Sequence, residues 1–164
     1  MFRLPSAALI VVLFMTGTAG EGQVAQANAP AGRPPNYAQH LVEQTLKRHP
    51  DVLVVAFHIT PPREEINRVV AINNPNFLWR PSDDVDSDTA KTGKIVMQAI
   101  PSTHRMEVHM PLRDQSGNPI ATFVTVYWFR EESQVPDLLR KSLTIRDEIQ
   151  PGITGTAQLL APTQ

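Results

Sequence analysis

The 164-residue chain carries 15 Lys and Arg against 16 Asp and Glu, a net charge of −1 with histidine neutral, and it contains no cysteine. Balanced charge supplies no basic field for nucleic acid, so no nucleic-acid partner is expected. The absence of thiols excludes disulfides, thiolate metal sites, lipid attachment at a lipobox cysteine and cysteine nucleophiles within these residues.

In chain order, Arg3 precedes an apolar run, residues 7–15 (AALIVVLFM), followed by small residues at Gly17, Thr18, Ala19 and Gly20. This is the pattern of an export signal over residues 1–27, with cleavage after Ala19 or after Ala27. It places the mature protein in the periplasm or outside the cell. The run is shorter than the roughly 20 apolar residues of a membrane span, which disfavours an uncleaved anchor. Residues 20–35 (GEGQVAQANAPAGRPP) read as a disordered spacer with nothing to pack. The remainder, residues 36–162, suffices for one domain with one core.

Asn36 can cap a helix in which Tyr37, Leu41, Val42 and Leu46 fall near helical spacing, ending before Pro50. Residues 51–60 (DVLVVAFHIT) and 66–73 (INRVVAIN) read as strands, separated by Pro61-Pro62 and a turn. Residues 76–93 hold an acidic run, placed in loops and a short helix; residues 94–100 give a third strand. Met106, Val108, Met110 and Leu112 then alternate with Arg105, Glu107, His109 and Arg113. That is the period of a half-buried strand. Residues 114–118 (DQSGN) supply a turn in which Gly117 can take positive φ. The run that follows, to Phe129, is continuously β-branched and aromatic, and predicts a strand covered on both faces. Residues 137–150 form a closing helix stopped by Pro151-Gly152.

The expected fold is therefore α+β: a five-stranded antiparallel sheet with an N-terminal helix, a helical crossover and a C-terminal helix, its helices on one face. This order resembles the single-Cache, or PAS-like, extracytoplasmic sensor domains, in their small stand-alone exported form. The resemblance covers most of residues 36–162. It rests on His49-Pro50-Asp51, His58-Ile59-Thr60-Pro61-Pro62, Ala71-Ile72-Asn73-Asn74 and the hairpin segment MPLRDQSGNPI at 110–120. Ile145-Arg146-Asp147-Glu148-Ile149 and the pair Leu159-Leu160 extend it. Two departures stand out. Leu78-Trp79-Arg80 replaces an apolar residue followed by Gly-Lys, and Ala121 replaces a glycine. Both add bulk near the expected pocket.

In such domains the ligand lies between the concave sheet face and the segment linking the second and third strands. The resemblance implies a site from Trp79, Arg80, Asp83 and Asp84 on the linking segment, opposed by His58, Lys94, Arg105, Glu107 and Tyr127 on the sheet. Arginine offers a planar fork for carboxylate, and aspartate accepts from ammonium. The expected partner is a small molecule of the amino acid, carboxylate or amine class, with a separate membrane signalling protein receiving the signal. Plainer readings compete: Trp79 as a core or lid side chain, and Asp83, Asp84, Asp86 and Asp88 as a solvated, helix-capping loop.

Nothing converges on catalysis, metal or cofactor. Asp84, Asp86 and Asp88 open like a calcium loop, but Thr89 stands at its glycine position and Ile95 at its closing glutamate. His104 and His109 are five apart on one strand and so face opposite ways. Glu107 and His109 share a face but lack a third ligand. Ser116 sits in a hairpin turn, without the context of a nucleophile elbow. The expectation is a binding or sensing module without catalytic activity. The alternatives are an adaptor with a filled pocket and a small cone-fold enzyme.

Overall fold

In the computed structural model, residues 11–14 and 33–163 are described. The expected helix forms as α1 (Tyr37–Arg48), and the Asn36 side chain accepts from the Gln39 N–H as its cap. Strands β2 (Val54–Ile59) and β3 (Arg68–Ile72) follow. The acidic run folds into α2 (Asp84–Thr92), capped by Asp83 and ended by Gly93 at φ +67. Strands β4 (Val96–Ile100), β5 (Arg105–Arg113) and β6 (Pro119–Trp128) complete the antiparallel set. Gly117 takes φ +85 in the β5–β6 turn, as its spacing required. Helix α3 (Val135–Ile149) starts two residues earlier than expected because Pro136 suits a first turn. A short α4 (Thr156–Leu159), unforeseen, closes the chain. Among the described residues no helix is long and apolar enough to cross a membrane.

The antiparallel strands lie in the order β4-β5-β6-β2-β3, with β1 (Val11–Phe14) added in parallel outside β4. Those four residues belong to the run assigned above to an export signal, and the sheet edge pairs them, Val11 opposite Val96 through Phe14 opposite Ala99. An unpaired β4 edge presents free N–H and C=O groups, and a β-branched apolar segment satisfies them. The rest of the signal and residues 20–32 of the spacer lie outside the described residues. The spacer's last residues are packed: the Arg33 guanidinium sits 4.0 Å from the Trp79 ring, and the Pro35 carbonyl accepts from Thr163 N–H at 2.9 Å.

Successive β6 residues point to opposite faces. The Thr125 hydroxyl meets Ser142 of α3 at 2.8 Å, whereas the Thr122 hydroxyl donates to the Asp86 carbonyl of α2 at 2.6 Å. Helices α1 and α3 therefore cover one face and α2 part of the other, which corrects the expectation that the helices share a face. β6 is covered on both sides, as its unbroken apolar run predicted. The main core fills the α1/α3 side: Phe57, Ile59, Met97, Met106, Met110, Leu112, Phe123 and Ile145 are fully buried there. Phe57 and Phe123 meet with centroids 5.1 Å apart. The α2 side holds only a small apolar set, Ala56, Val124 and Val126 flanked by Val54 and Ile72. That asymmetry leaves the sheet open where α2 stops.

Candidate functional site: a cleft floored by valines and closed by an Asp-His network

The exposed part of that second face forms a cavity of about 340 Å³, within the range of small-molecule sites. Val54, Ala56, Val124 and Val126 make its floor, and Phe77, Pro81, Ser82, Asp83 and Asp86 its roof and inner wall. Sheet register places the polar groups. His58 pairs with Thr122, and His109 pairs with Val124, so the two imidazoles lie diagonally across β6. Asp86, on the inward face of α2, reaches between them. Its Oδ2 lies 2.8 Å from His58 Nδ1, and its Oδ1 lies 2.8 Å from His109 Nδ1.

All three side chains are buried. Burial alone would raise the Asp86 carboxyl, but hydrogen bonds from His109 and His58 outweigh it and hold the group well below the usual carboxylate range. For His109, burial opposes protonation, yet the hydrogen bond to Asp86 and the nearby Glu107 carboxylate lift it to about 9. The ring is thus an imidazolium at neutral pH. Its Nδ1–H is committed to Asp86, and Nε2 carries the second proton. That Nε2 has no hydrogen-bond acceptor; the Glu107 Oε2 stands at 3.6 Å. Asp83 caps α2 by accepting from Asp86 N–H at 3.0 Å, and burial and the nearby Asp86 charge push its carboxyl up. Arg105, at the outer end, has a buried Nε without a partner.

Four of the expected site residues, His58, Asp83, Arg105 and Glu107, line this cleft. The other five do not. Trp79 turns outward under Arg33 and packs on the edge of the main core, with its backbone at φ +64 and tied to Val69. Arg80 folds over the Phe77 ring at 5.0 Å. Asp84 opens α2 on its solvent side, and Lys94 is exposed in the turn after it. Tyr127 has the opposite parity from Val126 and is buried in the main core, where its hydroxyl accepts from Ser142 at 3.4 Å. Ala121 likewise lies in the main core, so its extra methyl does not narrow the cleft.

Asp86, His109 and Ser82 were missed. By sequence Asp86 belongs to a solvated acidic loop, but helical folding points it inward while Asp84 and Asp88 face water; this also removes the calcium-loop reading. His109 was discoverable, since it shares strand parity with Arg105 and Glu107. Among the described residues no three His, Asp or Glu groups are arranged to hold a metal ion. Ser82 Oγ lies 2.9 Å from His58, but at the same Nδ1 that Asp86 occupies. A serine-histidine-aspartate relay needs the two partners on different ring nitrogens, so this trio is not one.

No family model matches the sequence, and no curated protein is similar to it. Solved structures are. The type II free methionine-R-sulfoxide reductase from Thermoplasma acidophilum is 17% identical with a TM-score of 0.50, over 76% of this chain and 93% of that chain. The GAF domain from Acinetobacter phosphoenolpyruvate-protein phosphotransferase is 14% identical with a TM-score of 0.45, over 70% and 82%. The inducer-binding domain of the PobR transcription factor from Acinetobacter, in complex with 3-hydroxybenzoic acid, is 10% identical with a TM-score of 0.46, over 74% and 100%. At these identities the likeness is one of fold. The chain has a PAS-like α+β fold: an antiparallel five-stranded sheet with helices on both faces.

Proposed function

We propose that this chain is an exported small-molecule-binding or sensing module, of the Cache-like kind, with no catalytic activity of its own. The cleft carries the reading. Apolar side chains desolvate a small ligand, while a few fixed polar groups at the inner and outer ends orient it. The Asp-His network is a preorganised wall, because Asp86 fixes both rings through Nδ1 and the roof helix through its own backbone carbonyl. Export is supported by Arg3, the apolar run at 7–15 and the small residues after it. A binder acts by shifting the roof segment or the helices, and so signals to a separate membrane protein. The sulfoxide reductase whose fold it shares is 17% identical, a likeness of fold that lends it no activity.

A thermal-shift screen of the protein against amino acids, carboxylates, amines and purines tests the reading. A true ligand at about 100 times its Kd adds roughly 2.7 kcal/mol of stability. The gain should vanish in Val124→Phe, which fills the floor. A flat response across the library supports instead an exported adaptor that uses its outer surface.

A further inference from the structure

We propose that the ligand of this cleft is a small monocarboxylate with an apolar body, its carboxylate held by Arg105; the inference rests on the small-molecule reading above. The acidic groups of the cleft are already engaged inside it. Asp86 is bonded by two imidazoles, Glu107 stands 3.6 Å from His109, and Asp83 caps α2. Arg105 differs. Among the described residues it has no carboxylate partner, its Nε is buried without an acceptor, and its guanidinium lies 5.8 Å from the Trp128 ring. A buried donor left without an acceptor calls for one. Guanidinium pairs with carboxylate through two parallel hydrogen bonds, a geometry that neither an amide nor a hydroxyl supplies with charge.

The surroundings fix the rest of the molecule. From Arg105, the floor runs inward over Val126, Val54, Val124 and Ala56, four side chains with nothing to offer a polar group. Phe77, 46% exposed, faces them from the roof, and Trp128, 56% exposed, stands beside the arginine. These are two of the three large apolar side chains exposed among the described residues, and a carboxylate bearing an aliphatic or aromatic body covers them. An amine in the same place meets the unpaired arginine charge.

Isothermal titration calorimetry tests this with benzoate and hexanoate, their amides, and benzylamine and hexylamine as probes. The acids should bind at least tenfold tighter than the amides, and the amines should not bind. Arg105→Gln should abolish the preference for acid over amide, whereas Arg140→Gln, exposed on α3 across the sheet from the cleft, should keep it. Melting curves of both variants confirm that they fold. Equal binding of acid and amide, tighter binding of the amines, or a preference that survives in Arg105→Gln overturns the carboxylate assignment and leaves the cleft reading standing. No binding by any of the six overturns the carboxylate assignment, and only a flat thermal-shift response across the whole library overturns the cleft reading with it.

Discussion

Replacing Asp86 by asparagine keeps its shape and removes the charge that binds the two imidazoles, leaving the backbone bond from Thr122 to the roof helix in place. An amide offers one acceptor oxygen, so one imidazole N–H keeps a partner and the other faces an NH₂ group. Breaking a buried ion pair by removing one partner costs about 3–5 kcal/mol, a large part of the stability of a domain this size. The pH dependence is the sharper signature. His109 has a pKa of about 9 in the folded protein against 6.5 for the free side chain. At 1.36 kcal/mol per pH unit, that difference is worth about 3 kcal/mol.

Because the folded-state pKa is the higher, this stability is fully present below pH 6.5 and is lost as pH rises through 9. The depressed Asp86 carboxyl sets the other side: its contribution is present above about pH 4 and fades as pH falls further. The two shifts describe one interaction and are not summed. Urea unfolding at pH 6 and pH 9 reads the effect directly. The wild type should lose about 3 kcal/mol between the two, and Asp86→Asn should lose far less, having started lower. NMR titration of His109 should show its pKa falling in the variant. A wild-type stability that is flat from pH 6 to 9, or an Asp86→Asn protein as stable as wild type at pH 6, refutes the network as a buried charged pair.

Further expectations rest on single positions. A Cβ on Gly93, at φ +67, lies 2.5 Å from Arg113 Nη2, whereas at Gly117, φ +85, it meets nothing. Gly93→Ala and Gly117→Ala should each cost the roughly 1–2 kcal/mol of left-handed backbone strain, as read by urea denaturation, because Arg113 Nη2 is the far end of a flexible side chain that can move aside. Phe123→Ala should cost about 3–5 kcal/mol by the same assay, since that ring is fully buried against Phe57. Tyr127→Phe should leave the affinity of any cleft ligand unchanged in calorimetry, because the ring belongs to the opposite face. N-terminal sequencing of the exported protein should begin at Gly20 or Asn28; a mature chain that begins at Met1 contradicts the signal reading.

Local pattern was enough for much of this protein. The alternation from Arg105 to Leu112 puts Arg105, Glu107 and His109 on one face of β5 and four apolar side chains on the other, and the structure keeps that division. Asn36, Asp83 and Gly117 act where short-range backbone chemistry requires a cap or a turn. The unbroken apolar run of β6 announced that both its faces are covered. These features depend on neighbours a few residues away, and such neighbours are visible in one dimension.

The site depended on longer distances. Asp86 stands among four aspartates of similar local context, and only its turn of helix, docked on Thr122 of β6, separates it from the solvated ones. The Cache-like resemblance puts Trp79 and Tyr127 in the pocket wall. A positive-φ backbone turned the first outward, and strand parity sent the second into the other layer. The cleft itself is the space between α2 and a sheet that it covers incompletely. No residue encodes such a gap alone, because it is set by how far a helix reaches across strands that are distant in the chain.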